Sequence, residues 1–555
     1  MMRQNCFILS CFFLVVFSAL RVDAQELVTP SVTYAYDSAG NRITAFSSHG
    51  YVEAEPTNAP NDPDEGLDCT SIAAGRLATT DGSVITSHTC DGKSRTWATM
   101  EPGGRHKRGE VVEIWKGTRK TASPTDTTGL RLAGTIPQAK RTYAYLNTAY
   151  PCLNEKQVAI GETTFSGPDT LRSGKGMFLV EELCRIALQR CDNARDAIRL
   201  MGDLVKTYGY ADGGECLTVA DKNEVWFFEV VGPGKGEKGG AWAAQRVPDG
   251  EIAVSANIPR IDRIDRSDKD HFMASDNVEE IALKYGLWDG QGDFSFYKAY
   301  HAAYGGGKNF REREWFILNA LAPSLGLRYE DDEMPFSVKP EKKVSVRDVM
   351  ELLRSTYEGT DFDMCRNIKV KMKAPGATEE TVQISPLANP WMTTMMQNTL
   401  NTIAPGTVTF RRTVAVAWCA YSTVIQLRGY LPDAVGGICW LAVDNPAQSP
   451  HLPVFAGCTQ LPKAMDRCGQ NNYDPDCFVW QFRRANKLAT LSWQTTKKEF
   501  HSTLIGVEDK IFEGLPGAKA TPEELNAYLQ QSYDAAARAW NGLEKKYWVQ
   551  FGRGF

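Results

Sequence analysis

One cysteine, Cys69, stands at the head of a strand–turn–strand pattern, and this arrangement constrains the chain more than any other feature. The pattern runs from Thr70 to Thr89, with the turn sequence Thr80-Asp81-Gly82-Ser83 at its bend. A proline-rich, acidic linker at residues 55–66 ends just before the cysteine. If the preceding chain is removed, the new α-amino group can act as the base for the thiol of the same residue. The sequence therefore predicts a hairpin whose first residue is a candidate nucleophile.

The composition is that of a globular protein and gives little sign of a macromolecular partner. The chain has 555 residues, of which 43% are hydrophobic and 23% are charged, enough for one large domain or a few ordinary ones. Its formal net charge of −5 provides no basic surface for binding nucleic acid. We therefore expect no nucleic-acid partner.

The first 24 residues have the pattern of a secretory signal peptide. Arg3 precedes an almost wholly apolar run, Cys6 to Leu20, and cleavage is predicted after Ala24. A membrane anchor or a lipidated Cys11 are the alternatives, but the apolar segment is short for either. No later segment has 18 uninterrupted apolar residues, so we expect no membrane span in the mature chain. The protein is predicted to be secreted or periplasmic, with residues 25–68 as a pro-segment.

Cysteine usage argues against a structural metal site. Fourteen cysteines occur in the chain, and two of them lie in the predicted signal peptide. If Cys69 is a free nucleophile, an odd number remains, so at least one further thiol has to stay unpaired. No Cys-x-x-Cys pair or Cys/His cluster at zinc-binding spacing is present. We expect neither a metal nor an organic cofactor, and the disulfide pairing stays open.

Short strands are grouped between helical blocks, which predicts an α+β fold. Helical spacing over residues 178–208, with a break at Asp192 and Asn193, predicts two helices. Ser345 and Thr521 are predicted N-caps of two further helices. Strands are predicted at Val111–Trp115, Cys216–Ala220, Val225–Val231, Ala241–Arg246, Ile252–Asn257, Thr407–Arg412, Val414–Trp418, Val424–Leu427 and Gly437–Val443.

A series of segments, each weak alone, is specific in its order and spacing. They are Cys69-Thr70-Ser71-Ile72 with Asp81-Gly82-Ser83, then Leu153–Thr164, Val219–Trp226, Trp242–Asp249, Val254–Asn257, Val424–Arg428, and Leu431-Pro432 with Trp440. In these segments the chain resembles the thiol dipeptidases of the N-terminal-nucleophile (Ntn) hydrolases, the family of dipeptidase A and the secernins. More distantly, it is similar to penicillin V acylases and bile-salt hydrolases.

The resemblance implies a fold, a nucleophile and a cleavage site. The fold would be a four-layer αββα sandwich over residues 69–512, with a helical C-terminal segment, 513–555, packed on it. Cys69 would attack the substrate once the Asp68–Cys69 bond is broken, by self-catalysis or by another protease. Its α-amino group, with a pKa of about 7.7–8.0, is suited to proton transfer near neutral pH. Asp91, at the end of the second strand, matches the aspartate that holds this group.

Asn257 and Thr164 are the candidate oxyanion donors that the resemblance implies. Asn257 matches an asparagine of the acylases whose side-chain amide donates to the tetrahedral intermediate, and an ordinary strand-end cap is the alternative role. Thr164 would contribute its backbone N–H, which nearly any residue type can supply. Glu162 and Glu215 fall near the expected site loops, and either carboxylate could recognise a substrate ammonium group.

At one position this chain departs from the family pattern, and at another two residues could match the family's arginine. Many relatives carry Arg-Asn where this chain has Ser87-His88 or His88-Thr89, so His88 stands where an arginine steadies the nucleophile. A second family arginine is expected before a helix that follows the strand block. Arg311 and Arg313 both fit, and we favour Arg313; a solvated helix face of alternating charge is the alternative.

The implied activity is hydrolysis of the amide bond in dipeptides or short peptides. A related amidase acting on N-acyl amino acids or conjugated bile acids is the alternative enzyme. A secreted binding protein that kept the fold without activity is the alternative outside enzymes. A papain-like protease is disfavoured because no cysteine has the expected local signature. The expected partner is the peptide substrate, and assembly into a homo-oligomer stays open.

Overall fold

The computed structural model describes residues 32–36, 42–47, 50–52 and 69–553, with gaps at 118, 120–125, 166, 301–307, 332, 374–375 and 377. The chain divides into two units, residues 1–59 and residues 60–555. In the first unit, three strands form an antiparallel sheet: β1 (Val32–Tyr36), β2 (Arg42–Ser47) and β3 (Gly50–Val52). The predicted signal peptide, the linker at 55–66 and Asp68 lie outside the described residues.

The second unit contains the remaining strands. In chain order they are β4 (Ser71–Ala74), β5 (Val84–Asp91), β6 (Thr99–Glu101), β7 (Gly104–Arg105), β8 (Val111–Gly117), β9 (Leu130–Pro137), β10 (Arg141–Thr142), β11 (Tyr145–Asn147), β12 (Leu153–Asn154), β13 (Ala159–Thr164), β14 (Gly214–Ala220), β15 (Val225–Val231), β16 (Ala241–Arg246), β17 (Ile252–Ser255), β18 (Phe272–Ala274), β19 (Ser337–Val338), β20 (Lys369–Lys373), β21 (Glu380–Ile384), β22 (Cys419–Leu427), β23 (Gly437–Val443) and β24 (Leu452–Phe455).

The helices of the second unit follow the same order. They are α1 (Val180–Arg190), α2 (Ala194–Tyr208), α3 (Val278–Lys284), α4 (Phe296–Tyr300), α5 (Lys308–Leu321), α6 (Val346–Leu353), α7 (Thr394–Ile403), α8 (Asp433–Gly436), α9 (Phe478–Ala489), α10 (Trp493–Glu513) and α11 (Pro522–Phe551). The predicted caps are confirmed, because Ser345 and Thr521 each form a reciprocal capping box with the third helical residue. The predicted break between α1 and α2 is also confirmed.

Two large antiparallel sheets make up the centre of this unit. One has eight strands in the order β18-β16-β15-β14-β13-β12-β11-β6, and the other has seven in the order β19-β17-β4-β5-β22-β23-β24. The predicted hairpin from Thr70 to Thr89 is present as the antiparallel pair β4 and β5. The fold is therefore α+β, as the grouping of strands and helices predicted.

The two sheets contact each other closely behind the hairpin. The hydroxyls of Thr86 on β5 and Thr218 on β14 lie 2.6 Å apart. Gly161 on β13 permits this approach, since a Cβ there would lie 2.7 Å from the Ser87 carbonyl oxygen. Helices α1 and α2 contact the eight-stranded sheet, whereas α6, α9 and α11 contact strands of the seven-stranded sheet. Strands β14 and β15 are buried along their whole length because both faces are covered.

The predicted strands Thr407–Arg412 and Val414–Trp418 are wrong. Their backbone N–H groups bond to scattered partners instead of a neighbouring strand: that of Val408 donates to the Asn401 side chain, and that of Arg412 to Glu312. The N–H of Ala415 donates to the Ser355 carbonyl. Strand-favouring residue types are present in these segments, but within the described residues they pair with no strand.

The described cysteines carry free thiols, twelve in all, from Cys69 to Cys477. Within the described part of the chain, no helix has both the length and the apolar character needed to cross a membrane.

Candidate active site

Cys69 lies immediately before β4, in the middle of the seven-stranded sheet, where β17 and β5 flank the hairpin strand. The residue is 2% exposed. Its backbone nitrogen donates to Oδ1 of Asn257 at 2.9 Å, and its Sγ lies 3.6 Å from Oε2 of Glu162. The nitrogen and the sulfur of the candidate nucleophile are therefore both held by side chains from neighbouring strands.

Asn257 follows β17 and is fixed by its backbone as well as its side chain. Its φ of 63° is in the left-handed region, which asparagine tolerates better than most residues. Oδ1 accepts from the nitrogen of Cys69 and from Arg313, while Nδ2 donates to the Thr164 carbonyl at 2.6 Å. Two donors on one side determine which amide atom is oxygen. The structure thus brings Asn257 and Thr164 together beside Cys69.

Arg313 extends from α5 to the start of the hairpin and is fully buried. Its Nη1 donates to the Cys69 carbonyl at 2.6 Å, and its Nη2 donates to Oδ1 of Asn257 at 2.7 Å. Arg311 instead donates to the Asp331 carbonyl. The expectation that this arginine precedes a helix is wrong, because Arg313 lies inside α5. The alternative of a solvated charged face is also wrong, since Glu312, Arg313 and Glu314 are all buried.

Asp91 ends β5 and forms a buried ion pair. Its Oδ2 accepts from Arg412 at 2.6 Å and from the Thr89 hydroxyl at 3.3 Å. Burial raises the pKa of Asp91, and the charge of Arg412 opposes this rise. The nitrogen of Cys69 bonds Asn257 in this chain, so the predicted contact between Asp91 and a free α-amino group stays a prediction.

Sequence reasoning missed Arg412. It lies 321 residues from Asp91 in a segment predicted to be a strand, and it bonds the carboxylate that was expected to serve Cys69. The adjacent pair Arg411-Arg412 at the end of an apolar strand pattern was the signal that could have found it, since buried charge requires a partner.

His88 lies one layer behind the cysteine, between the two sheets. Its Nδ1 is 2.5 Å from the Glu162 carbonyl oxygen, a distance that requires a proton on Nδ1. Burial lowers the pKa of His88 to about 4, so the ring is neutral near pH 7. Its ring also contacts the rings of Tyr150 and Tyr421, at centroid distances of 5.4 and 5.6 Å. His88 therefore supplies a neutral polar contact to the backbone of Glu162.

Glu162 and Glu215 form a buried carboxyl pair around one hydroxyl. Oγ1 of Thr164 lies 2.9 Å from Glu162 and 3.0 Å from Glu215. A hydroxyl has one proton to donate, so the second contact requires a protonated carboxyl group. Burial and the charge of Glu162 raise the pKa of Glu215 well above its ordinary value. We assign the proton to Glu215, which leaves Glu162 as the carboxylate facing Cys69.

The surroundings of Cys69 favour its protonated thiol over the thiolate. Burial raises its pKa well above the ordinary value, and the nearby charges of Glu162 and Asp91 raise it further. A bond from the backbone N–H of Asp91 lowers the pKa but does not offset these effects. A thiol in such surroundings remains protonated at neutral pH.

Ligand atoms of Cys69, His88 and Glu162 lie within 4.8 Å of one another, a spacing that could hold a metal ion. Nδ1 of His88 donates to the Glu162 carbonyl, while Nε2 of His88 has no hydrogen-bond partner among the described residues.

The sequence model of peptidase family C69 matches residues 68–504. This chain belongs to peptidase family C69. The match begins one residue before Cys69, so it contains the candidate nucleophile and each of the residues that surround it. The predicted resemblance to the thiol dipeptidases is confirmed, and the chain is a peptidase by family.

Curated relatives agree with this assignment. A probable dipeptidase of Latilactobacillus sakei is 26% identical over 495 residues, covering 84% of this chain and 93% of the relative. A probable dipeptidase of Salmonella dublin is 25% identical over 412 residues, covering 70% and 81%. The probable dipeptidase B of Lactococcus lactis subsp. lactis is 24% identical over 502 residues, covering 85% and 92%.

Proposed function

We propose that this C69 peptidase is a secreted cysteine dipeptidase whose nucleophile is Cys69 after removal of the residues before it. The family and its relatives named as probable dipeptidases support this substrate class. The apolar run at residues 6–20 supports secretion. The observation that carries the proposal is the convergence on Cys69, whose nitrogen bonds Asn257, whose carbonyl bonds Arg313 and whose sulfur faces Glu162.

The layered arrangement of the second unit supports a more specific fold assignment. Two stacked antiparallel sheets with helices against each are the arrangement expected of the αββα sandwich of Ntn hydrolases. In this assignment the cysteine-bearing hairpin strand lies in the middle of one sheet, as β4 does here.

Cleavage of the Asp68–Cys69 bond would convert an inert thiol into a nucleophile. In the intact chain the nitrogen of Cys69 is an amide, which cannot accept a proton at neutral pH. After cleavage the same nitrogen is an α-amine beside the sulfur, held by Asn257. When protonated, its positive charge lowers the pKa of the thiol, and when neutral it is the base that takes the thiol proton.

The reaction then follows from the placement of these groups. The thiol proton passes to the α-amino group as Sγ attacks the carbonyl carbon of the scissile amide. We assign stabilisation of the resulting oxyanion to the Asn257 amide and the backbone N–H of Thr164. Collapse breaks the C–N bond, and the α-ammonium group gives its proton to the leaving amine. Water, with the α-amino group again as base, cleaves the thioester and restores Cys69.

A substitution pair tests the nucleophile. Cys69→Ala is expected to lower kcat/KM for dipeptides by about 1000-fold or more, because no other group can form the thioester. Cys69→Ser retains a trace at most, since its alkoxide is harder to form. Cys458→Ala, at another buried cysteine, is the matched control and keeps the activity. Undiminished hydrolysis by Cys69→Ala would refute the proposal.

A substrate panel separates this function from the alternative amidase. We expect free dipeptides to be hydrolysed and N-acyl amino acids or conjugated bile acids to be poor substrates. The reverse order of kcat/KM values would assign the chain to the amidases while leaving the nucleophile unchanged.

A further inference from the structure

A cavity of about 1060 Å³ lies beside the candidate active site, between β6, β8, β11 and α1. Its lining includes Arg95, Tyr150 and Arg185. A second cavity, of about 990 Å³, lies near α6 and α10. Cys69 lines neither cavity, but the first one includes Tyr150, whose ring contacts His88.

Tyr150 connects this cavity with the nucleophile. It lines the cavity, and its ring packs edge-on against His88. Burial raises the pKa of the Tyr150 hydroxyl, and the charges of Glu162 and Cys69 raise it further. A ligand in the cavity at Tyr150 therefore lies next to a ring that contacts His88.

Arg95 carries a buried charge in this cavity without a compensating carboxylate. The residue is 9% exposed, its Nη2 donates to Oδ1 of Asn147 at 2.9 Å, and its guanidinium lies 5.3 Å from the Trp97 ring centroid. Its Nε has no hydrogen-bond partner. Among the described residues, no carboxylate forms an ion pair with Arg95 within 4.0 Å.

A buried cation without a direct ion pair is unusual, because desolvation of a charge is costly unless an opposite charge offsets it. Arg185, in the same cavity, has a direct partner, since its Nε donates to Glu182 at 2.9 Å. Arg95 reaches a carboxylate only through Asn147, whose Nδ2 donates to Glu101 at 3.1 Å. Arg95 can therefore accept a further anionic partner. A guanidinium fork suits a carboxylate, which it binds through two parallel hydrogen bonds.

We propose that Arg95 binds the C-terminal carboxylate of the peptide substrate. The inference rests on the proposed dipeptidase function and adds a determinant of substrate length to it. In a free dipeptide this carboxylate lies one residue beyond the scissile amide, whereas each further residue moves it away. An arginine held at a fixed distance from the nucleophile would therefore select dipeptides over longer peptides.

The test compares one free dipeptide with the same dipeptide as its C-terminal carboxamide. For the wild type we expect kcat/KM to be about 10- to 100-fold higher for the free acid, the range of charge-assisted hydrogen bonds. Arg95→Met should remove this preference by lowering hydrolysis of the acid and leaving the carboxamide within about threefold. Arg95→Lys should retain part of the preference. Arg195→Lys is the matched control, because Arg195 also lies over a tryptophan ring but does not line the cavity, and it should retain all of the preference.

Two kinetic results would overturn the role of Arg95. One is a wild type that does not distinguish the acid from the carboxamide. The other is an Arg95→Met variant that loses both activities equally while its thermal unfolding midpoint falls, which would mark a purely structural residue.

Calorimetry measures ligand binding without hydrolysis, so it tests the carboxylate site independently of the dipeptidase activity. If the wild type cleaves no dipeptide, binding of the same two ligands is measured with wild type and Arg95→Met. Tighter binding of the acid that depends on Arg95 would keep the carboxylate site and refute the dipeptidase. Equal binding of both ligands would refute the carboxylate site as well.

Discussion

At the scale of single residues, the site is a set of buried charges whose protonation states are fixed by their neighbours. Burial raises the pKa of Cys69 and of Glu215 and lowers that of His88, so it favours the neutral form of each group. Burial also raises the pKa of Glu162, and hydrogen bonds with Glu215 and Thr164 oppose this rise. Arg313 is stabilised by two carbonyl oxygens and by Asn257, and Glu162 by the Thr164 hydroxyl.

The proton on Glu215 gives a measurable pH dependence. Its pKa in the folded protein is raised above the ordinary 4.5, so its contribution to stability is complete below that pH and is lost as pH rises through the folded pKa. Glu215→Gln keeps a donor for Thr164 and has no proton to lose. Its free energy of unfolding should fall less with rising pH above 4.5 than that of the wild type.

The measurement is chemical denaturation at a series of pH values. Glu279→Gln, at an exposed glutamate on α3, is the control and should follow the wild type. Identical pH slopes for Glu215→Gln and the wild type would show that Glu215 is not the protonated member of the pair.

Some residues of the candidate site could be predicted from the sequence, and one could not. Cys69, Asn257 and Arg313 were predicted because each occupies a recognisable place in the order of motifs, and the structure brings them into contact. Arg412 was not predicted, since its pairing with Asp91 depends on the path of a loop that local patterns do not encode.

At the scale of elements, the position of the hairpin depends on the close approach of β5 and β13. A Cβ at Gly161 would lie 2.6 Å from the Thr218 hydroxyl oxygen and 2.7 Å from the Ser87 carbonyl. Gly161→Ala should therefore push the sheets apart and lower the free energy of unfolding by about 1–3 kcal/mol. Gly250→Ala, where no atom lies within 4 Å of the added Cβ, is the matched control. Equal denaturation midpoints for the two variants would contradict this packing.

Helix starts with a capping sequence were predicted correctly, whereas strands that require a neighbouring strand at a distance in the sequence were not always predicted correctly. The capping sequences at Ser345 and Thr521 determine their helix starts without outside help. A strand exists only where another strand can pair with it, so the apolar pattern at 407–418 did not suffice. The arginine was expected to precede a helix, whereas Arg313 lies inside α5, which begins at Lys308.

At the scale of the whole molecule, the C-terminal helix belongs to the same compact unit as the candidate site. Trp540 on α11 is fully buried, and its indole nitrogen donates to Asn486 on α9 at 2.8 Å. Trp540→Ala should cost about 3–5 kcal/mol of unfolding free energy. Trp548→Ala, in the same helix but 58% exposed, should change it by about 0.5 kcal/mol or less. Similar losses for both variants would contradict the packing of α11.

The proposed mechanism requires cleavage of one bond, Asp68–Cys69, because the nitrogen of Cys69 can act as a base only after that cleavage. N-terminal sequencing of the active, secreted protein tests this claim most directly. We predict that the active chain begins at Cys69. A fully active chain that begins at Gln25 would contradict the mechanism.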